Sequence, residues 1–192
     1  MTNIPKDWVE SYFEYGVDKA NRRIFLMGDV DQIVIGNVIK GIYYMNSENS
    51  EKPIELFINT DGGSEYDMFA LYDVLQTITC PIETFALGRV MSAGPLLVAA
   101  GTQGSRWAGE NTHFMVHQAW GDYWGSKQKE VSNTVKHHES MAHRWCKLME
   151  KHTKLKASQW KKLREDGVDS YFDADKALEY GLVDHLWKER DD

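Results

Sequence analysis

Several short stretches of this chain carry residue types that could together perform acyl-transfer chemistry. In GRVMSAGPLLVAAG, residues 88–101, a single hydroxyl, Ser92, stands between an apolar lead-in and a run of small residues suited to a helix start. The amides of its own neighbours could polarise a bound carbonyl there, so Ser92 is a candidate nucleophile. The same position suits an ordinary N-cap serine, and nothing inside the stretch decides between the two. DGGS, residues 61–64, follows an apolar run and opens an amphipathic one, so its backbone N–H groups point outward where they could hold developing negative charge. A tight strand-to-helix turn that needs positive φ explains the glycines equally well. A phosphate loop is excluded, because the lysine and hydroxyl of GxxxxGK[ST] are absent.

The candidate base and its partner come later. THFMVHQ, residues 112–118, is an apolar strand ending in His117, with His113 four residues earlier on the same strand. Spacing does not choose between them, and either could be a packed, hydrogen-bonded residue. Asp169 follows Gly167 in an irregular segment where a carboxylate could orient an imidazole or lie exposed in a loop. His137, His138 and His143 share a predicted helix at spacings that do not converge as i,i+4 does, so a solvated face is expected there and no metal or other cofactor. The α/β-hydrolase elbow GxSxG fits by half, with Gly94 in place and Val90 at the other glycine position.

These residues must be positioned by the elements around them. RIFLMG (23–28), IELFIN (54–59) and IETFAL (82–87) read as short strands, followed by helical stretches in IVIGNVIKGIYYM, YDMFALYDVLQTI and SAGPLLVAAG. Such closely repeated strand–helix units predict an α/β fold with a parallel sheet, in which sites form at the carboxyl ends of strands. Residues 126–153 predict one long helix with a partial apolar stripe of Val131, Val135, Met141, Trp145, Leu148 and Met149. A short helix near 157–166, extended VDSYF, a helix from Ala174 to Tyr180 stopped by Gly181, and a last strand LVDHLW complete the chain.

The chain has 192 residues, 42% of them apolar and 27% charged, with a net charge of −7, which suits one soluble domain spanning 1–192. The basic residues form no stripe with interleaved aromatics, so nucleic acid is not an expected partner. No apolar run approaches the roughly 18 residues of a membrane span. Cys80 and Cys146 are widely separated and form no CxxC, which points to a reducing, cytoplasmic setting.

Taken in order, four blocks resemble one family, the proteolytic subunit of the Clp protease (ClpP), a serine peptidase of crotonase-like fold. RIFLMGDVDQ resembles its opening strand, INTDGGS its glycine turn, GRVMSAGPLLVAAGTQGSRWAGENTHFMVHQ its serine-to-histidine block and DSYFDADKALEYGLVDHL its closing block. The resemblance runs from about residue 23 to 187. It implies repeated β-β-α and βα units with a protruding strand–helix handle at about 118–153. It further implies Ser92 as nucleophile, His117 as base and then acid, Asp169 as the orienting carboxylate, and the N–H groups of Gly63 and Ala93 as the oxyanion hole. Extended peptide would lie against Gly62, Ser64 and Glu65 on one side and Gln118 and Ala119 on the other. Also implied are homo-heptameric rings, stacked in pairs around a chamber, and an AAA+ unfoldase (Clp ATPase) as partner.

The chain departs from the family pattern at Ala119, at WGDYWG (120–125), at Pro95 and over its first 22 residues, which suit a divergent or phage-type member. Two other readings share the motifs: a crotonase-type acyl-CoA enzyme using the same oxyanion hole, and an inactive structural subunit of a mixed ring.

Overall fold

The computed structural model describes Tyr12, residues 14–118 and residues 127–187. Its strands are β1 (Val17–Asp18), β2 (Arg23–Met27), β3 (Ile54–Thr60), β4 (Ile82–Met91), β5 (Arg106–Gly109), β6 (His113–Val116), β7 (Ser170–Asp173) and β8 (His185–Trp187). The helices are α1 (Gln32–Glu48), α2 (Glu65–Thr77), α3 (Gly94–Ala99), α4 (Gln128–His152), α5 (Ala157–Glu165) and α6 (Ala174–Tyr180). The sheet runs β1-β2-β3-β4-β5-β8, with β6 paired to β4 and β7 to β6. Among the described residues, only the β1–β2 and β6–β7 pairs are antiparallel.

Two features of β4 shape everything downstream. It is longer than the expected 82–87, and it carries two neighbours in succession on one edge: β5 against Thr84–Ala86, then β6 against Arg89–Met91. β5 itself was not foreseen, because RWAG is too short and too mixed to announce a strand. Register across the sheet is marked by a row of directly paired aromatics, Phe25, Phe57, Phe85 and Trp107. Their rings stack at centroid separations of 5.0, 4.7 and 6.2 Å, a spacing at which cross-strand aromatic pairs stabilise one register over a slipped one.

The helices pack where their patterns demand. α1 starts on Asp31, whose carboxylate accepts from the N–H groups of Ile33 and Val34, and it buries Ile35, Val38, Ile42 and Met45. α3 is apolar on every side and wholly buried, with Pro95 in its first turn where no N–H is needed. α4 departs from expectation. Its core face is Met141, Trp145, Cys146 and Met149, all in the second half, whereas Val135 is exposed. The first turns, up to Lys136, bury no core residue, and contact with α2 begins at His137 and His138. Ala119 and WGDYWG (120–125), which precede α4, lie outside the described residues, as does most of the divergent front end.

A buried ion pair closes the far side. Arg106, 3% exposed, donates through Nε and Nη2 to both carboxylate oxygens of Asp184 at 2.8 and 2.6 Å, and through Nη1 to the His152 carbonyl at 2.7 Å. This joins β5, the segment before β8 and the last turn of α4. Both cysteines are free and buried. Among the described residues no helix is long and apolar enough to cross a membrane.

Candidate active site

Ser92, His117 and Asp169 each stand one residue off a strand ladder. Ser92 follows Met91, which pairs with Met115, and its N–H donates to the Met115 carbonyl at 2.8 Å. His117 follows Val116, whose ladder partner is Ser170, and Asp169 is the residue before Ser170. The three side chains meet beyond the carboxyl ends of β4 and β6. Ser92 Oγ and His117 Nε2 are 2.8 Å apart, and the hydroxyl donates to the ring when the imidazole carries its proton on Nδ1. That Nδ1 faces Asp169 Oδ1 at 3.8 Å, an ion-pair separation longer than a hydrogen bond. Asp169 is half exposed and takes a long contact of 3.4 Å from the Tyr171 hydroxyl. His113 opens β6 and is exposed, so the strand end separates the two histidines where spacing could not.

The helix-cap reading of Ser92 is corrected by the backbone. α3 begins at Gly94, the position before it is Ala93 in right-handed helical geometry, and neither has a side-chain cap. Ser92 itself sits at φ +56, left-handed space that a non-glycine residue occupies at a cost. The turn throws its side chain clear of both strand and helix, so the hydroxyl serves His117 rather than a helix end. Chain reversal at a strained residue is how hydrolase elbows expose a serine, although the glycine pattern that marks them is half absent here.

The glycine turn lies directly against this corner. A Cβ added at Gly62 would fall 2.5 Å from Ser92 Cβ and 3.1 Å from the Ala93 nitrogen, and Gly62 has φ +97. Only glycine allows that approach. The turn is held from the other side: Val30 N–H donates to the Gly62 carbonyl at 2.7 Å, Ser64 N–H to the Val30 carbonyl at 2.8 Å, and Gly62 N–H to Thr60 Oγ1 at 3.0 Å. Ser64 is committed further, its hydroxyl accepting from Asp67 N–H at 3.2 Å as the N-cap of α2. The Gly63 and Ala93 amides have no acceptor among the described residues, and both residues line the cavity that Ser92 faces.

That cavity has a volume of about 390 Å³. Its apolar wall is Met68, Val116 and Trp145, and its polar wall is Glu65, His138 and Arg164. Gln118 lies instead on a second hollow of about 700 Å³ between α4 and α5. Glu65 is reached by its side chain as well as its backbone: Arg164 Nη2 donates to Oε1 at 2.7 Å, and His138 Nδ1 lies 3.7 Å from Oε2. His137 is held by the Tyr66 hydroxyl at 2.9 Å, so of His137, His138 and His143, expected on a solvated face, the first two are engaged. Sequence reading missed Arg164, because one arginine in a lysine-rich amphipathic helix carries no sign of being 6% exposed. Among the described residues no cluster of histidine, cysteine and carboxylate side chains could hold a metal.

The geometry agrees with what comparison with known proteins finds. The model of the Clp protease family matches residues 10–190. This chain belongs to that family. The ATP-dependent Clp protease proteolytic subunit 3 of Synechococcus sp. (strain CC9605) is 31% identical over 180 residues, covering 93% of this chain and 87% of the relative. The subunit of the same name from strain CC9902 is likewise 31% identical over 180 residues. Membership makes the chain a peptidase of the serine type, and no finding favours the acyl-CoA alternative.

Proposed function

We propose that this chain cleaves peptide bonds of unfolded polypeptides with Ser92 as nucleophile, His117 as base and then acid, and Asp169 as the carboxylate that orients the imidazole. The observation that carries this reading is the 2.8 Å contact between Ser92 Oγ and His117 Nε2 beside two unengaged amides. His117 takes the hydroxyl proton as Ser92 attacks the carbonyl carbon, and the oxyanion is held by the N–H groups of Gly63 and Ala93. Protonated His117 then gives its proton to the leaving amine, and water repeats the sequence on the acyl-enzyme. Asp169 stabilises the imidazolium, and its 3.8 Å separation closes when substrate is bound, as catalytic contacts commonly tighten in the complex.

Substrate lies as extended chain across the mouth of the cavity, between Gly63–Glu65 and the segment from Gln118 through Ala119. Because the Gly62 and Ser64 amides are already engaged, the Gly63 amide is the one of the three open to substrate, and it is given to the oxyanion. The chains assemble as stacked heptameric rings through the exposed first turns of α4, enclosing the sites, and a Clp ATPase delivers polypeptide to them in the cytoplasm. The ATP-dependent naming of the relatives supports that partner.

A fluorophosphonate probe tests the chemistry: it labels Ser92 in the native chain, and Ser92→Ala abolishes both labelling and peptide cleavage. A well-folded native chain that takes no label refutes the proposal. Cleavage that survives Ser92→Ala together with coenzyme A binding would favour the acyl-CoA reading, and native mass measurement reads the ring.

A further inference from the structure

His117 lies past the last pair of the β6–β7 ladder, so the strand does not fix its peptide group. Its carbonyl accepts instead from Arg164 Nε at 3.0 Å, across from α5. The same guanidinium donates through Nη2 to Glu65 Oε1 at 2.7 Å, at the first residue of α2, directly after the glycine turn. Its carbon sits 5.1 Å from the centroid of the Trp145 ring on α4. One rigid planar group thus spans from the residue that carries the base to the turn that carries the oxyanion donor, and an aromatic face sets its plane.

Stability alone does not account for this arginine. Buried ion pairs roughly break even against apolar packing, and the surroundings here, Trp145, Met68 and Val116, would accept an apolar side chain. What an apolar residue could not do is bond a carbonyl and a carboxylate at a fixed separation. We propose that Arg164 is a positioning residue for the hydrolysis, setting His117 relative to the Gly63 turn through the His117 carbonyl and Glu65. This rests on the reading of Ser92 and His117 as nucleophile and base.

Charge acts here as well as geometry. Around the cavity that His117 lines stand Asp61, Glu65 and Tyr66 from the glycine turn and the start of α2, His138 from α4 and Arg164 from α5, with Asp169 from the approach to β7 and Arg89 of β4 paired to Asp61 at 3.1 Å. Removing Arg164 leaves the Glu65 carboxylate uncompensated, which favours the imidazolium. Removing the Glu65 charge leaves the guanidinium uncompensated, which disfavours it. The two changes therefore act on the base in opposite senses, a pattern that loss of packing does not produce.

The test measures the rate of fluorophosphonate labelling of the full chain against pH for the native protein, Arg164→Met, Arg164→Lys and Glu65→Gln, with thermal unfolding of each. Arg164→Met slows labelling by about 10- to 100-fold, the scale of a displacement near 1 Å in a reacting group, and moves the acid limb of the profile to higher pH. Glu65→Gln moves that limb to lower pH. Arg164→Lys returns the limb toward its native place without restoring the rate, because an ammonium lacks the planar fork. A folded Arg164→Met variant with native rate and limb overturns the proposal; if that variant does not fold, an unmoved limb in Glu65→Gln does so. Should the native chain take no label, the hydrolase reading falls by itself, and nitrogen NMR of the His117 ring still decides the positioning. Ring signals unchanged in Arg164→Met, or in Glu65→Gln if Arg164→Met does not fold, overturn it.

Discussion

Replacing Ser92 by glycine leaves a more stable protein than replacing it by alanine, although both variants lose the proposed nucleophile. Each removes the hydroxyl and its 2.8 Å contact with His117, so that loss cancels in the comparison. What differs is the backbone. At φ +56 a Cβ costs about 1–2 kcal/mol in left-handed space, and alanine retains that cost while glycine sheds it. Glycine also loosens the unfolded chain, which offsets about 0.4–1 kcal/mol of the gain. The net advantage of glycine is about 1 kcal/mol, or about 2–4 °C in melting temperature for a chain of this size. Calorimetry of the two variants at matched protomer concentration reads the difference, since assembly makes the midpoint concentration-dependent. An alanine variant as stable as the glycine variant, or more so, would refute the argument that the corner is strained.

Other consequences follow from the same contacts. Gly62→Ala meets Ser92 Cβ at 2.5 Å in a backbone at φ +97, so it destabilises by at least about 1–3 kcal/mol. By displacing the Ala93 amide it also lowers the fluorophosphonate labelling rate by about 10²-fold or more. Asp184→Ala strands a guanidinium that is 3% exposed and costs about 3–5 kcal/mol in urea unfolding. Burial pushes the Asp184 carboxyl up, but the bond and charge of Arg106 and the N–H groups of Gly104 and Arg106 outweigh it and hold the group below its usual value. Its contribution is therefore present above the unfolded value of about 3.9 and lost as pH falls through the lower folded value, a slope the variant lacks. Burial, then the charges of Lys151 and Arg106, hold His152 down at about 4 from 6.5. The unfolded chain thus binds the extra proton between those values, and stability declines as pH falls from 6.5 toward 4. The full shift corresponds to about 3 kcal/mol, and about 1–2 kcal/mol remains for a half-solvated ring, measurable as the pH slope missing from His152→Gln.

Much of the site was legible in order along the chain because its parts are local. A glycine pair at a strand end, a lone serine before small residues and a histidine closing an apolar strand each leave a mark within a few positions. What sequence could not carry was anything that depends on where strands lie side by side. His113 and His117 differ by the end of β6, which spacing does not reveal, and the left-handed turn at Ser92 resembles a helix cap because both place a serine just ahead of Ala-Gly-Pro. His138 reads as a solvated helix position and Arg164 carries no mark of its own, because their burial is imposed by packing of α4, α5 and the glycine turn, not by their own neighbours. β5 went unseen for a related reason: four residues without strict alternation become a strand only because β4 and β8 flank them.

The placement of Ser92, His117 and Asp169 one step beyond their ladders makes the strands a ruler for the proposed reaction. The Met91–Met115 pair sets the interval between hydroxyl and imidazole, and the Val116–Ser170 pair sets that between imidazole and carboxylate. A single-residue deletion within β4, β6 or β7 shifts a member by about 3.3 Å, more than the whole 2.8 Å contact it would have to preserve. Insertions after Gln118 and ahead of α4 leave both of those pairs uncounted. Length variation during divergence is therefore accommodated most readily there, where WGDYWG stands in the sequence. The chemistry can stay fixed while the surfaces that choose neighbours are rebuilt around it.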